Sequence, residues 1–237
     1  MYNNHIIKTG NYKEMVKKVY IPDYSDYLYI TDTPDEARSL RDSNKAVLIE
    51  KTPENEEESF DGFMFFIEGD EEAEAGYYKE IFERVLEIPR EIATDGEISL
   101  FELVPSDFDF VCGLSELPSV TEYMPPFGPG ADGIDSFTTY TKNSYLLYGY
   151  GFYLIVAGNE KAGLVGFGAG EEEGTFEIGF ALAPEFRGRK IADRAVKAAT
   201  GYLRKEFPEA HICARCHKEN SASIGLCRKH GIEVISF

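Results

Sequence analysis

The sequence predicts an α/β protein with mixed α+β sheets, in which a small acidic part precedes a larger part that carries the chemistry. Segments with strand alternation and segments with helical periodicity follow each other along most of the chain. Its 237 residues, 43% of them hydrophobic, suffice for one large domain or two small ones. Near residue 187, a strand, a short basic turn and a helix follow one another, a pattern typical of an anion-binding site.

Charge and one turn divide the chain into two parts. Residues 1–95 hold 11 Lys and Arg against 23 Asp and Glu, a balance of −12, whereas residues 96–237 hold 13 against 19, a balance of −6. Thr94-Asp95-Gly96 is typical of a turn. We therefore expect a small acidic α/β domain of unknown role over residues 1–95 and a second domain over residues 96–237.

The first part has the pattern of a small α/β unit. A helix is predicted from Asp32 to about Asp42, because a capping residue, a proline and acidic residues begin it. The glutamates of residues 54–58 and 71–74 are expected to be solvated. The remaining predicted elements are strands at Tyr27–Thr31, Ala46–Glu50 and Gly62–Ile67 and a helix at Tyr77–Leu86.

The second part is predicted to contain a strand, two helices, three strands, a helix, a strand, a helix and a final strand. Asp107–Met124 has the pattern of helical turns broken near Pro118, and Pro125–Gly130 is a predicted loop. The other helices are predicted at Ser136–Tyr148, Ile191–Phe207 and Ser221–Lys229. The strands are predicted at Glu97–Leu103, Phe152–Val156, Ala162–Gly168, Thr175–Leu182, Ala210–Cys216 and Ile232–Phe237.

The basic turn is the most informative segment of the chain. Arg187, Arg189, Lys190 and Arg194 surround the start of a predicted helix, whose free N–H groups and dipole also attract negative charge. In a chain of net charge −18, this cluster predicts a phosphorylated cofactor. The same acidity argues against nucleic acid as a partner, because phosphate backbones require a basic face.

Membrane and secretory signals are not found in the sequence. No window of about 18 apolar residues predicts a membrane span, and no signal peptide is recognised at the N-terminus. The four cysteines are then most simply reduced thiols. We therefore expect a cytoplasmic protein without a membrane partner.

Three separated motifs, in order, resemble the GNAT acetyltransferase superfamily. Tyr148–Val156 with Gly163–Gly168 is similar to the early hairpin of that fold, Glu177–Ala192 to its acetyl-CoA signature strand and pyrophosphate loop, and Asn220–Gly231 to its last cofactor-side helix. The resemblance covers residues 97–237 and is nearest the branch with ribosomal-protein N-terminal acetyltransferases. It implies a GNAT fold with splayed central strands and acetyl-CoA-dependent transfer to a primary amine.

The resemblance also implies how acetyl-CoA binds. The pantetheine arm would lie between the splayed strands against the backbone of Leu182 and Ala183. Asn220 and Ser223 would contact the pantetheine or acetyl end, and no metal would be needed. The residues implied at the pyrophosphate are Arg187, Gly188, Arg189, Lys190, Ile191 and Ala192.

Two catalytic candidates follow from the resemblance. The amine must lose a proton before it attacks the thioester, and Glu177 occupies the position that often carries this base; an ordinary exposed strand glutamate is the alternative. Cys227 stands where many members carry a tyrosine acid, so it is either the proton donor or a small packing residue. Tyr148, Tyr150 and Tyr153 either replace the donor, shape the amine pocket or belong to the core.

Two positions depart from the family pattern. Lys190 stands where the pyrophosphate loop prefers glycine, and Cys227 stands where many members carry a tyrosine. Together they favour a second hypothesis, a non-catalytic acyl-CoA-binding or sensor module. The acceptor is left open between small-molecule amines and amines of peptides or proteins, with cationic amines favoured by the acidic surface. Dimers are common in the family, and the sequence leaves a homodimer open.

A separate motif, Cys213-Ala-Arg-Cys216-His217, matches c-type haem attachment and also offers zinc ligands with His211. Its context is poor, because residues three apart on a predicted strand face opposite sides. A metal or haem protein is therefore the remote third hypothesis.

Overall fold

The computed structural model describes residues 16–52, 55, 64–67, 75–122 and 131–237. The described chain divides into two compact units, one containing the residues up to Ile88 together with Thr138–Leu146, the other containing Pro89–Phe137 and Leu147–Phe237. Each unit has its own β-sheet. The glutamates of the two acidic runs and the predicted loop Pro125–Gly130 lie outside the described residues.

The elements of the first unit are β1 (Lys17–Ile21), β2 (Asp26–Thr31), α1 (Pro34–Asp42), β3 (Ala46–Lys51), β4 (Met64–Ile67) and α2 (Ala75–Val85). Its four strands form a sheet in the order β1-β2-β3-β4, antiparallel between β1 and β2 and parallel thereafter. Because side chains alternate along β3, Val47 and Ile49 face α1, and Leu48 lies on the opposite face with Ile81 and Phe82 of α2.

The first unit differs from its prediction in two details. The N-cap of α1 is Thr33, which has extended backbone and is followed by Pro34 at the first helical position. Strand β1 was not predicted, because Lys17–Ile21 is short and begins with two lysines.

The strands of the second unit are β5 (Glu91–Thr94), β6 (Ile98–Glu102), β7 (Phe152–Ala157), β8 (Glu160–Ala169), β9 (Thr175–Leu182), β10 (His211–Cys216) and β11 (Glu233–Ser236). They form a seven-stranded sheet in the order β11-β10-β9-β8-β7-β6-β5. The strands from β5 to β9 are antiparallel, whereas β9, β10 and β11 are parallel. Its helices are α3 (Phe108–Ser115), α4 (Pro118–Thr121), part of α5 (Ala131–Tyr148), α6 (Ile191–Glu206) and α7 (Ser221–Lys229).

The predicted mixed α/β order of this unit is confirmed, and β5 is an addition. Helices α3 and α4 are the helical turns that were predicted to break near Pro118. The predicted break at Thr94-Asp95-Gly96 is the turn between β5 and β6, where Asp95 accepts the N–H groups of Glu97 and Ile98, each at 3.0 Å. The assignment of residues 1–95 and 96–237 as separate domains stays a prediction. Among the described residues, no helix combines the length and the apolar character that a membrane span needs.

Candidate cofactor and active site

Strands β9 and β10 pair with each other only at their beginnings. The parallel ladder runs from His211 with Thr175 to Cys213 with Glu177. Beyond this point, β9 stays paired with β8 as far as Leu182, and β10 stays paired with β11 as far as Cys216. The two strands therefore separate in the middle of the sheet, and an opening lies between them.

The backbone direction of β9 identifies the groups that line this opening. The Ala183 N–H donates to the Ala162 carbonyl beside β8 at 2.9 Å. Because hydrogen-bonded pairs alternate along an antiparallel ladder, Ala181 also directs its backbone to β8, while Phe180 and Leu182 direct theirs to the opening. The Ala183 backbone was predicted to contact the pantetheine arm, but its N–H group donates to the Ala162 carbonyl instead. The Phe180 backbone faces the opening and is a candidate contact that was not predicted from the sequence.

Helix α6 begins after the basic turn and directs free donors outward. Its first hydrogen bond runs from the Arg194 N–H to the Lys190 carbonyl at 3.2 Å. The N–H groups of Ile191, Ala192 and Asp193 therefore lie before the helical ladder, at the positive end of the helix dipole. Buried side chains at helical spacing hold α6 in place: Ile191, Ala195, Val196, Ala199 and Leu203.

The turn keeps a glycine-like backbone at Lys190. Gly188 has a φ of 73° and Lys190 a φ of 62°, and the latter is the N-cap of α6 in left-handed conformation. A side chain in this region costs about 1–2 kcal/mol relative to glycine. The lysine thus adopts the left-handed backbone that a glycine would adopt without strain, at some cost in stability.

Replacing Lys190 by glycine is expected to separate stability from affinity. Lys190→Gly removes the left-handed strain and should raise the free energy of unfolding by about 0.5–1 kcal/mol in urea titrations. It also removes a positive charge and should weaken the binding of acetyl-CoA, the cofactor that the resemblance implies, severalfold at low salt, measured by calorimetry. Lys190→Asn is the control for charge loss, because asparagine tolerates the left-handed backbone. A lower free energy of unfolding for Lys190→Gly than for the wild type would contradict the presence of strain at Lys190.

Two of the four basic side chains near the turn form hydrogen bonds or ion pairs with other parts of the protein. Arg187 donates to the Leu182 carbonyl through Nε at 3.1 Å and Nη2 at 2.9 Å, and to Ser119 Oγ at 2.9 Å. Arg194 pairs with Asp95 and Glu97, each at 2.6 Å, so it is directed to the β5–β6 turn. The other two cations are Lys190 and Arg189, whose guanidinium lies 5.3 Å from the Phe186 ring centroid.

Glu177 lies at the last paired position before β9 and β10 separate. Its Oε2 is 3.4 Å from Arg215 Nε, and Arg215 also contacts Glu171 at 3.0 Å. About a third of the Glu177 side chain is exposed, at 32%, so water reaches the carboxylate. The structure therefore places a carboxylate at the inner end of the opening, in contact with one guanidinium.

Three cysteines lie near the same position, and all three are buried. Burial raises the pKa of the Cys213 thiol, and the Glu177 charge raises it further. Burial also raises the pKa of Cys216, and it raises that of the fully buried Cys227 to about 12, with a smaller contribution from Cys216. These groups are therefore thiols at neutral pH.

Asn220 holds the start of α7. Its Oδ1 accepts the Ser223 N–H at 3.1 Å and caps the helix, as its sequence position predicts.

The three candidate tyrosines lie in different surroundings. Tyr153 is buried, with its ring 5.8 Å from that of Tyr202. Tyr150 packs edge-on against Phe176, whereas Tyr148 is exposed.

Cys213 and Cys216 lie on β10, three residues apart and therefore on opposite faces. Cys216 contacts Cys227 of α7 through its thiol. In the part of the chain that the structure describes, no group of three His, Cys, Asp or Glu side chains is arranged to hold a metal ion.

Comparison with protein families gives a match to the acetyltransferase (GNAT) domain over residues 98–233. An acetyltransferase from Agrobacterium tumefaciens is similar in structure, with 18% identity, a TM-score of 0.50, and coverage of 60% of this chain and 82% of that one. A Salmonella typhimurium acetyltransferase that modifies the N-terminal serine of a 50S ribosomal subunit protein has 21% identity, a TM-score of 0.48, and coverage of 59% and 83%. A GNAT-family acetyltransferase from Bacillus anthracis has 23% identity, a TM-score of 0.48, and coverage of 59% and 81%. No curated protein matches the chain.

Proposed function

Because the chain belongs to the GNAT acetyltransferase family and therefore takes its acetyl group from acetyl-CoA, we propose that it acetylates a primary amine by direct attack within a ternary complex. The observation that carries this proposal is the separation of β9 from β10 beside the open N-terminus of α6. One feature accommodates an extended thioester arm, and the other accommodates a pyrophosphate.

The proposed cofactor contacts follow from the direction of backbone groups. The pantetheine amides pair with Phe180 and Leu182, which face the opening, and the pyrophosphate accepts from the N–H groups of Ile191 and Ala192. Other contributors from the predicted set are Gly188, Arg189, Lys190, Asn220 and Ser223. Arg187 supports the same segment by holding the Leu182 carbonyl.

In the proposed reaction, Glu177 is the base. An ammonium has no lone pair, so a proton passes from the amine to the carboxylate, directly or through water. The amine nitrogen then bonds to the thioester carbonyl carbon, and the carbon–sulfur bond breaks. The nitrogen loses its second proton, which balances the proton that the departing CoA thiolate takes up. Arg215 contacts the same carboxylate, so an incoming ammonium competes with this guanidinium for Glu177.

For Cys227, we propose packing rather than proton donation. A thiol with a pKa of about 12 is a weaker acid than an ordinary thiol, whose pKa is about 8.5, so protonating a CoA thiolate from Cys227 is unfavourable. Cys227→Ala should therefore leave kcat within about twofold and lower the free energy of unfolding by about 1 kcal/mol. Cys112→Ala is the control, because Cys112 is a half-buried thiol of α3. A tenfold lower kcat for Cys227→Ala at unchanged stability would contradict the packing role of Cys227.

An unbiased amine screen tests the proposed function. The protein is incubated with acetyl-CoA and a panel of peptide N-termini, lysine peptides, polyamines and aminoglycosides, while released CoA thiol and product mass are followed. Net charge −18 favours cationic acceptors in this panel. Acetyl transfer should give a product that is about 42 mass units heavier than the amine. It should form in step with thiol release, at about one acetyl group per CoA. Binding of acetyl-CoA without turnover on any amine would instead support an acyl-CoA-binding module.

A further inference from the structure

The carboxylate of Asp193 joins the first turn of α6 to the last turn of α7. Its Oδ1 accepts from Lys229 Nζ at 2.7 Å and lies 2.8 Å from His230 Nε2. Asp193 is in the first turn of α6, next to Ala192, whereas Lys229 ends α7 and His230 is its C-cap. One carboxylate oxygen thus connects the two helices that follow β9 and β10, the strands that separate.

The charges at these helix ends are complementary. The N-terminus of α6 carries positive partial charge, which favours Asp193, and the C-terminus of α7 carries negative partial charge, which favours Lys229 and His230. Hydrogen bonds from Lys229 and His230 lower the pKa of Asp193, so its carboxylate is ionised at neutral pH. An ionised carboxylate beside a pyrophosphate site is repulsive unless it is neutralised, and Lys229 supplies positive charge at that point.

Few buried side chains hold α7. Of its nine residues, Cys227 alone is buried, and the segment is otherwise half-buried or exposed. A short helix with one buried residue gains little from apolar packing, so a polar connection has a large share in fixing its position. The Asp193 side chain is 28% exposed and that of His230 15%, so the contact between these two side chains is partly shielded from water, whereas Lys229 is 63% exposed and its ion pair lies at the surface.

We propose that Asp193 is a positioning residue for the cofactor: it fixes the end of α7 against the first turn of α6 and so sets the position of the Ile191 and Ala192 N–H groups that receive the phosphates of acetyl-CoA. This inference rests on the proposed cofactor site and concerns the phosphate end alone. The pantetheine arm binds the backbone of β9, which Asp193 does not contact.

Calorimetric titration of the whole protein with acetyl-CoA tests this role. Asp193→Ala should raise the Kd of acetyl-CoA at least fivefold. Asp193→Asn should raise it less, because the amide oxygen of asparagine still accepts from Lys229. Lys229→Met should also raise the Kd. The kcat at saturating acetyl-CoA should stay within twofold. In assays with S-acetylpantetheine, which lacks the phosphates, kcat/KM should be the same for Asp193→Ala and the wild type.

Arg194→Gln is the matched control, because it breaks an ion pair of the next residue on α6 that is directed to Asp95 and Glu97. It should change the Kd less than twofold. An equal Kd for Asp193→Ala and wild type, tighter binding, or an equal loss with S-acetylpantetheine would overturn the inference. If the wild type binds no acetyl-CoA, the proposed function itself fails, and this inference fails with it.

Discussion

Replacing Glu177 by glutamine should lower kcat about 100-fold and leave the Kd of acetyl-CoA within about twofold. Removal of a general base typically costs 10²–10⁴ in rate, about 3–5 kcal/mol of transition-state stabilisation. Glutamine keeps the length of the side chain and an oxygen for Arg215, so the local structure should be preserved. Steady-state kinetics with the best amine of the screen, together with cofactor titration, measures both quantities.

Glu171→Gln is the control for this experiment. Glu171 contacts the same Arg215, at 3.0 Å, but its side chain is 80% exposed. The residue lies just after the end of β8 and not at the opening between β9 and β10. It should leave kcat unchanged. If Glu177→Gln turns over amine as fast as the wild type, Glu177 is an ordinary strand glutamate and another group takes the proton.

Gly163→Ala should lower the free energy of unfolding by about 3 kcal/mol. A Cβ atom at this position of β8 would collide with the Ala181 carbonyl oxygen and lie 2.9 Å from Leu182 Cα, so the β9 backbone must move. Overpacking of this kind typically costs 1–3 kcal/mol, occasionally more. Because Leu182 faces the cofactor opening, acetyl-CoA affinity should fall as well.

Gly168→Ala, on the same strand, separates crowding from loss of a glycine. A Cβ atom at Gly168 would meet nothing within 4 Å, so its effect on stability should stay within about 0.5 kcal/mol. Urea denaturation of the two variants gives the comparison. Equal stabilities would show that β8 and β9 tolerate a side chain at the close approach.

Local patterns predicted most of the fold. Thr175–Leu182 and Ser221–Lys229 are a strand and a helix at the predicted bounds, because alternation and the Asn220 cap act locally. Strand β5 is different: four residues with half-buried or exposed side chains give no alternation, and its place is determined by pairing with β6. The Thr94–Gly96 turn has the same composition whether it separates domains or joins a hairpin.

The candidate site was predictable in its backbone and less so in its side chains. The glycine-like turn and the start of α6 follow from the residues around Lys190. The partners of the arginines do not, because Ser119 is 68 positions away from Arg187 and Asp95 is 99 positions away from Arg194. Likewise, nothing local in the sequence connects Asp193 with His230.

The most direct test of the account is acetyl-CoA binding to the intact protein. Differential scanning calorimetry with increasing acetyl-CoA should show stabilisation of about 2.7 kcal/mol at 100 times the Kd, and isothermal titration should give one site per chain. Raising the salt concentration should weaken this binding, since the proposed site holds the phosphates at the start of α6. The absence of any stabilisation or heat at millimolar acetyl-CoA would contradict the central claim that β9, β10 and α6 form its binding site.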